Sequence, residues 1–162
     1  MDDRELELLA QQVAHLMSHK GLKLVSTESC TGGWVGQVVT ALPGSSAWYI
    51  GGFITYANDA KQDWLGVQGA TLATHGAVSE AVVTEMANGA LQRSTADIAL
   101  AISGVAGPSG GSAEKPVGTV CLAWASRDGV QLATTCRFAG DRREVRMRSV
   151  AAALRGVIEL LN

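Results

Sequence analysis

Two hydroxyl-bearing turns and one lysine are the parts of this chain with the makings of a catalyst. The first turn is Glu28-Ser29-Cys30-Thr31-Gly32-Gly33, which lies between a short apolar run and an amphipathic one. A strand–turn–helix junction of this kind aims free backbone N–H groups at one point, and the helix dipole adds partial positive charge there. Gly32 and Gly33 would let a ligand approach the backbone, and Ser29 and Thr31 add hydroxyls. The plainer reading is a tight turn with a Ser/Thr helix cap. The second group is Ser45-Ser46 with Tyr56 and Lys61. Amide hydrolysis needs a nucleophile and a base, and without a metal or a suitable histidine a neutral lysine can deprotonate a serine. Tyr56 could relay the proton. Lys61 follows Tyr56 by five residues, across a strand end and a helix start, so both can face one cleft. Otherwise Lys61 is a solvated surface lysine.

Two further segments could complete such a site. Gly140-Asp141-Arg142-Arg143, with Arg146 and Arg148, puts four arginines within seven residues at the start of a helix. Cations there oppose the helix dipole at a cost of roughly 0.3–1 kcal/mol each. An anion held between them would offset that cost, and the planar guanidinium suits a phosphate. Pairing with Asp141 and Glu144 is the alternative. Ile102-Ser103-Gly104-Val105-Ala106-Gly107-Pro108 follows an apolar run. Ligands collect beyond strand C-termini in open α/β sheets, and free N–H groups here could form an oxyanion hole. A structural Gly-rich connection is the other reading. His15 and His19 are four apart, a spacing that suits zinc, but no third ligand accompanies them, so no metal site is expected. Cys30 lacks a histidine partner.

The elements that must carry these groups follow from periodicity. Residues 4–20 read as an amphipathic helix, with Leu6, Leu9, Ala10, Val13, Leu16 and Met17 at three-and-four spacing and Gly21 as its stop. Lys23–Thr27 reads as a strand. A helix after Gly33 carries Trp34, Val35, Val38, Val39 and Leu42 and ends at Pro43-Gly44. Trp48–Tyr56 reads as a strand with a bulge or close approach at Gly51-Gly52. Asn58 or Asp59 should cap a short helix through Trp64, closed by Gly66. Ser79 should cap a helix to about Arg93, and His75 reads as a helix-end residue. Ile98–Ile102 looks like a central buried strand. Val117–Ala125 and Val130–Phe138 form a hairpin through Arg127-Asp128-Gly129. Asp141 caps a last helix with Met147, Val150, Leu154, Val157, Ile158 and Leu161 on one face. These elements predict a three-layer α/β/α fold with a mixed β-sheet.

With 162 residues the chain suits a single domain spanning 1–162. Apolar residues are 47% and charged residues 17%, a globular composition. The formal net charge of −2 argues against nucleic acid as a partner. Three scattered cysteines without a CxxC pair read as reduced thiols. The acidic segment Met1–Glu5 lacks an apolar signal core, and no apolar run is long enough to span a membrane. The expected location is cytoplasmic. The four tryptophans are expected in the core or at a subunit contact.

Taken in order, Glu28–Gly33, Gly44-Ser45-Ser46, Gly52–Tyr56, Lys61, His75-Gly76-Ala77-Val78-Ser79, Ser103–Pro108 and Glu114–Val120 resemble the motifs of the CinA C-terminal domain family. The resemblance covers nearly the whole chain. It is closest to the family's stand-alone nicotinamide mononucleotide deamidases, and the chain length leads us to expect no appended molybdopterin-binding-like domain. It implies an amidohydrolase of pyridine nucleotide (NAD) salvage that turns nicotinamide mononucleotide and water into nicotinate mononucleotide and ammonia. It also implies a mixed α/β fold, no cofactor and a homodimer. The catalytic positions it implies are Ser29, Ser46, Tyr56 and Lys61, with either serine as nucleophile. Ser103, Gly104 and Glu28 are the expected oxyanion and substrate contacts. Thr31, Gly32, Gly33, Arg142 and Arg143 are the expected phosphate contacts. The rival expectation is a nucleotide-binding module without catalysis, acting as a regulatory or competence-associated domain.

Overall fold

The computed structural model describes residues 1–162. In chain order the elements are α1 (Asp3–Lys20), β1 (Leu24–Glu28), α2 (Trp34–Thr40), a 3₁₀ turn (Ser45–Ala47), β2 (Tyr49–Ile54), α3 (Asn58–Leu65), α4 (Gly69–His75), α5 (Glu80–Gln92), β3 (Ile98–Gly104), β4 (Thr119–Ser126), β5 (Gln131–Arg137) and α6 (Arg142–Leu161). The sheet order is β2-β1-β3-β4-β5. β1 pairs in parallel with β2 and β3, and β4 and β5 are antiparallel additions. The mixed sheet expected from the sequence is present.

Alternation along the strands sorts the core into two layers. Leu24 of β1, Ile98, Leu100 and Ile102 of β3, and Val120, Leu122 and Trp124 of β4 face α1, α2 and α6. Val25, Ala99, Ala101, Cys121, Ala123 and Ala125 face α5 and the end of α3. The first layer holds the large side chains and the second mostly alanine, so α5 lies close on the sheet. Gly89 of α5 sets its contact with α3, because a Cβ there would overlap the backbone carbonyl of Leu65.

The helix ends follow their caps. Asp2 with Glu5, and Asp141 with Glu144, form capping boxes on α1 and α6, and Ser79 Oγ accepts from Val82 N at 3.2 Å. Gly21 and Gly66 close α1 and α3 in the left-handed conformation, with φ 67° and 72°. Three expectations need correction. Neither Asn58 nor Asp59 caps α3; the cap position is Ala57, in extended backbone with no side-chain cap. A helix, α4, also precedes Gly76, and only its last residue, His75, was anticipated. None of its residues is buried, so it shows no apolar period in the sequence. β3 runs two residues past Ile102, because Ser103 and Gly104 still pair with Cys121 and Val120.

The chain leaves β1 for β2 through α2 on one side of the sheet. It reaches β3 through α3, α4 and α5 on the other. The C-terminal ends of β1 and β3 therefore flank a topological switch point, where open α/β sheets bind ligands.

Candidate active site

Ser29 is the first residue after β1. Its N–H donates to Ile102 O at 3.0 Å, and Gly32 N–H closes the turn on Ser29 O at 3.1 Å. The period of two puts Ser29 on the same sheet face as Val25 and Thr27, under α3. Lys61 reaches it from the first turns of α3 and is only 1% exposed. Its Nζ lies 2.9 Å from Ser29 Oγ, 2.8 Å from Thr55 O and 3.0 Å from Tyr56 O. No carboxylate pairs with it. Burial lowers its pKa to about 8. As an ammonium it donates to all three oxygens. As a neutral amine it keeps two N–H groups for the two carbonyls and directs its lone pair at Ser29 Oγ.

The pair opens into a cavity of about 200 Å³ whose polar side chains are Ser29, Tyr56, Asn58, Lys61, Ser103 and Arg142. Ala77, Val78 and Ala106 supply apolar wall. Arg142 Nη1 donates to Gly107 O at 2.8 Å and Nη2 to Tyr56 Oη at 3.3 Å, tying α6, the loop after β3 and the end of β2 together over the cavity. Ser103 is 2% exposed and its hydroxyl makes no hydrogen bond within the protein. The β3–β4 ladder continues with Val105 N–H on Thr119 O at 2.8 Å. Antiparallel alternation then turns the Gly104 N–H away from β4, toward the Ser29 side. A side chain at Gly104 is excluded: a Cβ would lie 2.7 Å from Val120 Cγ2 and 3.2 Å from Cys30 Sγ. Cys30 N–H makes no backbone hydrogen bond either. The Cys30 thiol is buried and pushed up to about 11 by desolvation, so it stays protonated at neutral pH.

Several expected site residues stand elsewhere. Ser46 is exposed on the 3₁₀ turn before β2 begins, at the opposite end of that strand from Thr55 and Lys61. It does not join the cluster. The Tyr56 phenol reaches Arg142, and only the Tyr56 backbone carbonyl touches Lys61. Glu28 points to the other sheet face, away from the cavity. Its buried carboxylate accepts from Thr31 Oγ1 at 2.6 Å, Val35 N at 3.0 Å and Gly36 N at 3.3 Å, and so caps α2. Thr31 is consumed in the same cap. Thr31, Gly32, Gly33 and Arg143 do share a cavity, but a different, shallow one, with Trp34, Gln37 and Arg146.

The arginine cluster also disperses. Arg142 enters the Ser29 cavity. Arg143 stacks on Trp34 with its guanidinium carbon 5.0 Å from the ring centroid, and pairs with Asp3 at 3.4 Å. Arg146 braces the turn after β1 through Cys30 O at 3.0 Å and Thr31 O at 3.3 Å. None pairs with Asp141 or Glu144, whose carboxylates are spent on the capping box. His15 and His19 stack on the exposed side of α1, centroids 6.0 Å apart. Of the tryptophans, Trp48 and Trp124 are buried and Trp64 is 55% exposed. A larger cavity, about 460 Å³, lies at the far end of the sheet by Leu22, Ile98 and Leu161; its one hydroxyl, Ser126, donates to Asp128 in the β4–β5 turn, and no lysine lines it.

The sequence alone does not mark Asn58, Ala77 or Val78 as site residues. Asn58 carried one usable signal, its place three residues before Lys61. The role of the Thr55 and Tyr56 carbonyls has no signature in side-chain identity.

Fold and site together define a three-layer α/β protein that sets a serine against a buried lysine at its switch point. The chain belongs to the CinA C-terminal domain family, whose model it matches over residues 6–161. It is 52% identical over 154 residues to nicotinamide-nucleotide amidohydrolase PncC of Escherichia coli (strain K12), covering 95% of this chain and 93% of that one. It is 47% identical to a CinA-like protein of Chlorobaculum tepidum, over 93% of this chain but 36% of that longer protein. Among solved structures, the competence/damage inducible protein CihA from Agrobacterium tumefaciens superposes with a TM-score of 0.95 at 46% identity, covering 98% of this chain and 96% of that one. No helix is long and apolar enough to cross a membrane.

Proposed function

We propose that this protein hydrolyses the carboxamide of nicotinamide mononucleotide to nicotinate mononucleotide and ammonia, with Ser29 as nucleophile and Lys61 as base and with no metal or cofactor. The observation that carries the reading is the 2.9 Å contact between Ser29 Oγ and an Nζ that burial makes easy to deprotonate. The amidohydrolase relative supplies the substrate.

Neutral Lys61 takes the Ser29 proton as Oγ attacks the carboxamide carbon. The N–H groups of Cys30 and Gly104 receive the developing oxyanion, where fixed donors are worth most. The lysine ammonium then gives its proton to the departing nitrogen, which leaves as ammonia, and an acyl-Ser29 ester remains. Water, deprotonated by the again-neutral Lys61, adds to the ester and releases the carboxylate and Ser29. Arg142, the one cation besides Lys61 on the cavity, takes the phosphate. Thr31, Gly32, Gly33 and Arg143 lie outside this reading, as do Ser46 and the Tyr56 phenol as proton carriers. The reading carries with it a role in NAD salvage, a cytoplasmic location and a homodimer.

The test is ammonia release from nicotinamide mononucleotide by chelator-treated protein, with Ser29→Ala and Ser46→Ala beside the wild type. Ser29→Ala should lose about 10³-fold or more and Ser46→Ala should stay near wild type. Release that survives Ser29→Ala would transfer the nucleophile elsewhere. No release by folded wild type would favour the non-catalytic module.

A further inference from the structure

Asn58 sits on the wall of the same cavity as the first residue of α3, one turn ahead of Lys61. Residues three apart share a helix face, and the Lys61 side chain runs back toward the helix start to reach Thr55 O and Tyr56 O. Asn58 and the lysine nitrogen therefore lie on one side of the cavity. The exposed Asn58 carboxamide makes no hydrogen bond within the protein, and neither does the buried Ser103 hydroxyl of the same cavity, whereas Ser29 is engaged with Lys61 and Tyr56 with Arg142.

The place of Asn58 along α3 points the same way. Asparagine is among the best N-cap residues, because its side-chain oxygen can accept from the first free N–H groups. Here the cap position falls to Ala57, which has no side chain to cap with, and the asparagine comes one residue later, turned to the cavity. A start one residue later would give α3 its cap but would lose the helical bond from Lys61 N–H to Ala57 O at 3.2 Å. With that bond made, the asparagine oxygen is not spent on the cap.

We infer that Asn58 is a specificity-determining residue that accepts a hydrogen bond from the amide N–H of the substrate through Oδ1. This inference rests on the amidohydrolase reading above. A primary carboxamide offers a C=O and an NH₂. When the C=O turns to the Cys30 and Gly104 N–H groups, the NH₂ needs an acceptor. Both carbonyls beside Lys61 are already taken; Asn58 Oδ1 is unspent and, unlike the Ser103 hydroxyl on β3, stands on the same helix as the lysine. The contact holds the scissile C–N bond at the attack angle and keeps the nitrogen near the lysine that must protonate it.

The experiment compares kcat/KM of wild type, Asn58→Leu and Asn58→Asp on two substrates: nicotinamide mononucleotide and the methyl ester of nicotinate mononucleotide. The ester forms the same acyl-enzyme but has no N–H. Asn58→Leu, close in shape and without an acceptor, should lose about 10-fold on the amide and less than about 2-fold on the ester. Asn58→Asp, which keeps the acceptor, should retain the wild-type ratio of amide to ester. An equal loss on both substrates would show a merely structural residue and overturn the inference, as would no loss on either. Wild type inactive on both would instead refute the amidohydrolase reading itself.

Discussion

Raising the pH should switch this protein on through Lys61. The lysine is buried, has no carboxylate partner, and its pKa falls from the usual 10.5 to about 8. At about 1.4 kcal/mol per pH unit, that fall corresponds to about 3.5 kcal/mol against the ammonium in the folded protein. Only the neutral amine can take the Ser29 proton. With a pKa near 8, about a tenth of the molecules are competent at pH 7 and about nine tenths at pH 9. A plot of log kcat/KM should therefore rise with unit slope below pH 8 and flatten above it, a gain of about tenfold from pH 7 to pH 9. An unshifted lysine would keep the unit slope past pH 10. The assay is ammonia release at subsaturating nicotinamide mononucleotide in constant-ionic-strength buffers from pH 6 to 10. A flat profile would refute the assignment of Lys61 as base, and a rate still rising with unit slope near pH 9 would refute its lowered pKa. Lys61→Arg, charged throughout the range, should be inactive at every pH while remaining folded.

Stability should carry the same signature. Between pH 8 and 10.5 the unfolded chain still holds the Lys61 proton and the folded protein has lost it, so Lys61 makes stability rise with pH there, by about 2 kcal/mol from pH 8 to 10. Cys30, raised to about 11, acts in the opposite sense, so the measurement is the difference in urea midpoint between wild type and Lys61→Met; no difference in slope against pH would count against a depressed lysine. Glu28→Ala strips the cap from Thr31, Val35 and Gly36 and should cost about 2–4 kcal/mol in chemical denaturation; a loss of kcat in a protein of unchanged stability would instead place Glu28 in the chemistry. Gly89→Ala drives a methyl into the Leu65 carbonyl and should lower Tm and activity together by pushing α3, and Lys61 with it, off the sheet. Arg142→Gln should raise KM for the mononucleotide about tenfold or more and leave its ratio to that for the riboside near one; an unchanged KM would remove Arg142 from phosphate recognition.

Much of this architecture was legible in the residues, for identifiable reasons. The helices that bury a stripe, α1, α5 and α6, show their period and their caps at Asp141 and Ser79. Helix α4 escaped because nothing in it is buried. The site was half legible. Ser29, Lys61, Ser103 and Arg142 do converge on one cavity. Ser46 was paired with Lys61 because only 15 residues separate them, yet β2 runs between them and carries them to opposite ends of the sheet. Glu28 is among the expected substrate contacts, but it adjoins Ser29, and neighbours along a strand face opposite sides. The dispersal of the arginines has the same root: Arg142 and Arg143 are adjacent on a helix and so diverge by about 100°.

That alternation also explains why the proposed chemistry falls at the end of the strands. On the α5 side of the sheet, β1 presents Val25, Thr27 and then Ser29, β3 presents Ala99, Ala101 and then Ser103, and β2 ends in Phe53 and then Thr55. The lower rows are largely apolar and buried beneath α5, and the last row is hydroxyl-bearing. Lys61 lies over that last row, where its aliphatic stem is enclosed and its nitrogen meets one serine and two strand-end carbonyls. One row deeper, the nitrogen would find every strand carbonyl committed to the sheet and no route to a substrate. One row farther out, water would solvate it and return its pKa toward 10.5, leaving it charged at neutral pH. The end row is the one depth at which this lysine is both desolvated and reachable.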